Sequence, residues 1–225
     1  MSKSLVKALY RKMKHIPWVV SISRVAPVMN PVRALWFDVR SRQNRYEYLE
    51  HLLRSLPGSF GIAVRFCLLK GFFGHMGANV VIWPGTRFRY PGRIELADGV
   101  SISYDCILQG GGGISIGSST LIGPGVKIWS VNHCFKDTHR TIGSQGYEGR
   151  PVSIGRDCWI GSDSFVKPGT LLPDGCVLLP GSVVGRMRIP EYSVLSGNPA
   201  TVMGPRSRVG CTVGWGAVDK TVCAT

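Results

Sequence analysis

Starting at Ile154, a branched aliphatic residue returns at every sixth position: Ile160, Val166, Leu172, Leu178 and Val184. Four places after each of the first five stops the residue is small, namely Cys158, Ser164, Thr170, Cys176 and Ser182. The same beat runs upstream through Leu96, Ile102 and Leu108, then through Ile116, Ile122 and Ile128, with "QGGGGISI" adding two residues between these series. A weaker series is Met76, Ile82 and Phe88. A period of six fits neither a helix nor an ordinary alternating strand. It fits a coil of short strands and turns, with one large side chain pointing inward from each flat face. Small residues at the other inward position let neighbouring faces close, and Gly155, Gly161 and Gly185 serve the turns. Such a coil cannot bury its core alone, so coils stack into an all-β solenoid. The competing reading, a β-sandwich with chance spacing, has six consecutive matches to explain.

The repeat predicts a solenoid domain over residues 76–204, interrupted by a loop at 129–153. Residues 1–75 differ: "LVKALYRKMKHI" and "RSRQNRYEYLEHLLRSL" have helical spacing with polar faces, and Pro17, Pro27 and Pro31 break the segment between them. A basic, mainly helical N-terminal extension is expected there. Residues 205–225 form a C-terminal tail with no functional reading, in which Trp215 is expected to anchor against the body.

The net charge of +14 is uneven. Residues 1–75 hold 13 Lys/Arg and 3 Asp/Glu, a balance of +10, which leaves +4 for the remainder. That asymmetry points to an anionic neighbour, with a merely solvated basic face as the alternative. Nucleic acid is not expected, because no recognised binding motif organises the charge. Peripheral contact with an anionic membrane is the remaining candidate. No run approaches the ~20 apolar residues of a membrane span, and the basic start lacks a secretory cleavage pattern. Seven scattered cysteines without a CxxC pair fit reduced thiols. A cytoplasmic protein, peripheral at the inner membrane face, is the expectation.

The loop carries the chemistry, since a long excursion from a compact scaffold is usually functional or disordered. It contains His133 in "VNHCF". Histidine, with an unperturbed pKa of about 6.5, suits the role of a base near neutrality. The plain alternative is a loop histidine held by backbone contacts. Asp137 and Arg140 are expected to brace the loop by pairing, or to contact the acceptor. Asn132 either fixes the loop backbone or touches the acceptor, and His139 is expected in solvent. Trp159, one place before inward Ile160, should project outward and cover a subunit neighbour or a ligand. Cys106, Cys158 and Cys176 read as core, and nothing activates Cys134 as a nucleophile.

"IGSSTLIGPGVKI", "VSIGRDCWIGSDSFVKPGTLLPDGCVLLPGSVV" and "SGNPATVM" resemble the hexapeptide-repeat acyltransferases, above all the maltose and galactoside O-acetyltransferases and the sugar O-acetyltransferases of capsule and O-antigen pathways. The resemblance covers residues 57–204, and "LPGSFGIAVRFCLLKGFFGHMGANVVIWPGTRF" is similar to the lead-in of polysaccharide-pathway members. It implies a left-handed parallel β-helix, homotrimers with active sites between subunits, acetyl-CoA as co-substrate and no metal. It assigns the general base to His133 and sets Trp159 beside the active-site tunnel. It sets Gly161 and Ser162 at the thioester, with the Ser162 N–H facing its carbonyl. The coenzyme track would follow Pro180, Gly181, Gly185 and Arg186, with Arg186 meeting a phosphate. Thr201 and Gly204 stand where relatives often have basic residues, so either Arg206 or Arg208 would take over the 3′-phosphate or that contact would be weaker. Asp105 stands where sugar acetyltransferases have Asn. It would accept an acceptor hydrogen bond or help position His133, unless it is a turn residue capping local N–H groups. A backbone carbonyl or Glu148 would orient His133.

The function expected is O-acetyl transfer from acetyl-CoA to a sugar or glycan precursor. The alternatives are transfer to a non-sugar alcohol or amine of a secondary-metabolite pathway, a structural solenoid without catalysis, and a zinc hydrolase similar to the γ-class carbonic anhydrases. The last needs three converging histidines, whereas the five present are His15, His51, His75, His133 and His139, and the coil faces after Ile154 carry none.

Overall fold

The computed structural model describes residues 31–208. These divide into two compact units, one of residues 31–52 and 133–147, the other of residues 53–132 and 148–208.

The second unit is the expected solenoid. One face stacks His75–Met76, Ile94–Leu96, Ile114–Ile116, Val152–Ile154 and Leu171–Leu172 as parallel strands. The next stacks Val81–Ile82, Ser101–Ile102, Leu121–Ile122, Trp159–Ile160, Val177–Leu178 and Ser193–Gly197, and the third stacks Arg87–Arg89, Ile107–Gln109, Lys127–Trp129, Phe165–Val166 and Val183–Val184. Pairing brings every sixth-residue stop above its counterpart. Met76, Leu96, Ile116, Ile154 and Leu172 form one column. Ile82, Ile102, Ile122, Ile160, Leu178 and Leu195 form the second. Phe88, Leu108, Ile128, Val166 and Val184 form the third. None of these side chains is more than 4% exposed. Each fully buried aliphatic chain contributes about 1.5–3 kcal/mol relative to exposure, so the columns dominate the unit's stability.

The small positions are buried as expected, with Cys158 2% exposed and Ser164, Thr170 and Cys176 at 0%. They also complete the corners: Thr120 Oγ1 donates to the Gly155 carbonyl at 2.8 Å, and Thr170 Oγ1 donates to the Lys167 carbonyl at 2.7 Å. The two extra residues of "QGGGG" form a 3₁₀ turn, Gly110–Gly112, in which a Cβ on Gly112 would lie 2.1 Å from the Ser130 carbonyl oxygen. At the far end, Ala200–Pro205 pairs antiparallel with Ser193–Gly197, which gives the last parallel strand a partner.

Among the described residues three helices precede the coils: α1 (Pro31–Arg40), α2 (Arg42–Leu53) and α3 (Gly58–Leu69). Pro31, expected to break helical structure, instead opens α1, where its missing N–H costs nothing. The expected helix at "LVKALYRKMKHI" and the anchoring of Trp215 lie outside the described residues. Helix α3 has no counterpart in the expected elements. It packs on the strand Val81–Ile82 of the first coil, with Gly61, Arg65 and Leu69 buried. Arg65, 2% exposed, donates through Nε to the Ile82 carbonyl at 2.9 Å and through Nη1 to the Leu53 and Leu56 carbonyls at 3.0 and 2.7 Å. Burial lowers its proton affinity.

Candidate active site

The coil half of the site lies on the corner between the second and third faces. Each coil turns there through the same three backbone positions. The first donates its N–H to the following coil, as Trp83 does to Ile102 and Gly161 to Leu178. The third donates to the preceding coil, as Asp105 does to Pro84, Gly125 to Tyr104, Asp163 to Pro124 and Gly181 to Ser162. The middle position has no coil to donate to. Its occupants are Pro84, Tyr104, Pro124, Ser162 and Pro180, so three of the five lack an N–H altogether. Among the described residues the Ser162 N–H meets no acceptor. It is a half-buried, rigidly mounted donor on a surface corner.

Several expected residues share that corner. Pro180 and Gly181 sit one coil above Ser162, with Gly181 exposed and at φ +70°. Asp105 holds the third turn position two coils below Asp163, at φ +56°, with its carboxylate over the backbone of Gly85. Gly161 is required by stacking, because a Cβ there would lie 2.4 Å from the Pro180 nitrogen. Trp159 opens the adjoining strand, points outward as expected, and is 43% exposed between Leu121 and Val177 of the neighbouring coils.

The remaining expected coenzyme residues are not at this corner. Gly185 and Arg186 follow Val183–Val184, at the far end of the third face, with Arg186 exposed. Arg206 lies at the opposite edge of the second face, where Nη1 contacts Asp157 Oδ2 at 2.8 Å and the Gly175 carbonyl at 3.4 Å. Arg208 is exposed.

The loop half is built on two short strands, Val131–His133 and Tyr147–Gly149, which pair as a separate two-stranded sheet. Above it, the Cys134 N–H donates to the Gly146 carbonyl at 3.0 Å. This ladder brings the Tyr147 ring to 4.3 Å from the His133 imidazole, centroid to centroid, tilted by 39°. His133 is exposed, and among the described residues no hydrogen bond reaches its ring. Neither expected orienting group fills that role: Glu148 Oε1 instead accepts from Nε and Nη2 of Arg150, at 3.0 and 2.8 Å. Asn132 is exposed beside His133.

The distal loop is braced differently from expectation. Asp137 and Arg140 do not pair. Asp137 Oδ1 accepts from the His139 N–H at 2.9 Å, and Arg140 Nη2 donates to the Ser144 carbonyl. Gln145 ties these together, its Nε2 donating to the carbonyls of Asp137 and Arg140 at 2.8 and 3.1 Å, while its Oε1 accepts from the Asp137 N–H. His139 and Arg140 are exposed. Burial pushes the Cys106 and Cys158 thiols up to about 11, so neither is a nucleophile. No group of three metal-ligating side chains occurs among the described residues.

Two curated relatives have this architecture's sequence. The chain is 34% identical over 142 residues to the putative colanic acid biosynthesis acetyltransferase WcaF of Escherichia coli, covering 63% of this chain and 75% of that protein. It is 38% identical over 135 residues to nodulation protein L of Rhizobium leguminosarum bv. viciae, covering 60% and 70%. Among solved structures, a galactoside acetyltransferase in complex with coenzyme A superposes with a TM-score of 0.65 at 26% identity, covering 72% of this chain and 80% of that one. No protein-family model matches the chain.

Proposed function

The chain belongs to the hexapeptide-repeat acetyltransferases, and we propose that it moves an acetyl group from acetyl-CoA to a hydroxyl of a sugar or glycan precursor, with His133 as general base. The observation that carries the reading is the unspent Ser162 N–H at a corner position that three other coils fill with proline, Tyr104 being the other occupant of that position with an N–H.

The His133 imidazole takes the proton of the acceptor hydroxyl as its oxygen attacks the thioester carbonyl carbon. The Ser162 N–H donates to the oxyanion that forms, an interaction worth about 10²–10³ in rate where such donors have been removed. When the C–S bond breaks, the imidazolium returns its proton to the departing thiolate. Both groups begin and end the cycle in the same state, so no covalent acyl-enzyme is required.

Trp159, Gly161, Pro180 and Gly181 border the pantetheine arm, and Gly185 extends that track. Arg186, exposed and without an ion pair among the described residues, offers a cation to a coenzyme phosphate. Arg206 can meet the 3′-phosphate only by exchanging its contact with Asp157. Asn132, Arg140 and Asp105 are the acceptor contacts. A homotrimer would supply the loop and the corner from different chains. Among the described residues no helix is long and apolar enough to cross a membrane. Contact with an anionic membrane through the basic N-terminal region is the second part of the proposal.

The test is release of coenzyme A from acetyl-CoA across a panel of sugars, nucleotide sugars and glycosides, with His133→Ala as control. Acceptor-dependent release that the control lacks is expected. Release that His133→Ala leaves intact overturns the assignment.

A further inference from the structure

Helix α3 is built inside out. Its twelve residues, "GSFGIAVRFCLL", carry one charge, Arg65, and that charge faces the protein interior. The solvent side holds Phe60, 72% exposed, and Leu68, 49% exposed, with Ala63 and Cys67 exposed between them. Positions spaced three, seven and eight residues from Phe60 share one helix face. They form a continuous apolar stripe about 12 Å long. One exposed Phe or Leu is ordinary, but a helix that buries its sole cation and turns its apolar side to solvent marks a contact surface.

The surrounding charge says what kind of contact. From His51 to Ile94 the chain contains no Asp or Glu, while Arg54, Arg65, Lys70, Arg87, Arg89 and Arg93 all fall within that span. Lys70 closes the helix, and Arg87 and Arg89 lie on the first coil, all three exposed. A second copy of this chain joined by a two-fold contact is a poor occupant. A two-fold contact sets each patch against itself, and here cations would meet cations with no carboxylate to neutralise them. An apolar stripe on a helix closed by the exposed Lys70, in a stretch of chain that holds cations and no carboxylate, is the pattern of helices that lie in the interface of a bilayer. A helix of twelve residues is too short to cross one.

We propose that α3 docks on an anionic phospholipid surface, with Phe60 and Leu68 entering the boundary between headgroups and acyl chains while Lys70 meets the phosphates and the basic stretch around the helix adds its charge. This rests on the reading above that the basic N-terminal region meets an anionic membrane, and it names the element that does so. Each cation near such a surface adds about 1 kcal/mol, and the two apolar side chains add burial that salt does not screen.

The test is sedimentation of the full-length protein with vesicles of phosphatidylcholine alone or of phosphatidylcholine mixed with phosphatidylglycerol. Wild type is expected to bind the mixed vesicles and to leave the neutral ones. Phe60→Ser/Leu68→Ser is expected to weaken partitioning by at least about tenfold, with thermal unfolding and acetyl transfer to a soluble acceptor unchanged. A second measurement needs no folded variant: an environment-sensitive fluorophore on Cys67 should shift to the blue with mixed vesicles, and the shift should vanish in labelled Cys67→Ser. Equal binding to both vesicle types, or no binding, overturns the proposal. Equal capture of wild type and the double variant also overturns it, and leaves the rest of the basic region as the membrane contact. An oligomer that the double variant dissolves would make α3 a protein interface and likewise overturn it. Vesicle binding is read without turnover, so its failure and a failure of acetyl transfer are separate results.

Discussion

Ser162 occupies a turn position that the same scaffold fills with proline in three other coils, and this makes its N–H testable in isolation. Proline at 162 removes the donor while keeping a residue the corner accepts at positions 84, 124 and 180. Ser162→Pro should therefore fold normally, bind coenzyme A, and lose about 10²–10³ in kcat. Ser162→Ala, which keeps the N–H, should stay near wild type, and equal losses in both would remove the oxyanion role. His133→Ala should lose at least ~10² in kcat. Tyr147 is then a positioning residue, because its ring is the contact recorded at the imidazole. Tyr147→Ala should lower kcat by about tenfold through misplacement of the base, leave the KM for acetyl-CoA unchanged, and be rescued by Tyr147→Phe. The proposal of His133 comes from its place in "VNH" beside the broken repeat. Tyr147 and Gln145 were not legible in the sequence, since both act by returning across the loop to residues distant in sequence.

At the scale of elements, the three aliphatic columns were legible because each face demands one large inward side chain, so the spacing reports the coil directly. Helix α3 was not legible, because its apolar residues surround the helix and leave no polar face to reveal a period. The feature that fixes it is a single cation. Arg65 satisfies carbonyls of Leu53 and Leu56, which lead into the helix, and of Ile82 on the first coil. Arg65→Met would leave the Leu56 and Ile82 carbonyls without partners, at about 1–3 kcal/mol each, and the Leu53 carbonyl with only the Leu56 N–H at 3.3 Å. Urea unfolding should register a loss of more than about 2 kcal/mol with an unchanged slope. Arg65→Lys should rescue little, because a compact ammonium cannot reproduce the planar fork that reaches three carbonyls. A midpoint indifferent to Arg65→Met would mean that water reaches these carbonyls.

At the scale of the whole molecule, the two halves of the proposed site have opposite characters. The corner bearing Ser162 is locked to the coils above and below it by backbone hydrogen bonds at 2.7–2.9 Å. His133, the proposed base, sits on an excursion that carries its own bracing and is assigned to the other compact unit. A homotrimer that supplies these halves from neighbouring chains predicts complementation between two dead variants. In trimers assembled at random from equal amounts of His133→Ala and Ser162→Pro, a site is intact when its loop comes from the second variant and its corner from the first. Each condition holds for half of the chains, so about a quarter of the sites should be complete. Co-expression should thus restore roughly a quarter of wild-type turnover, whereas mixing pre-assembled proteins should restore none. If both halves of each site came from one chain, co-expressed trimers would hold no intact site and would stay inactive. Turnover per trimer therefore distinguishes a shared site from a private one without any further coordinates.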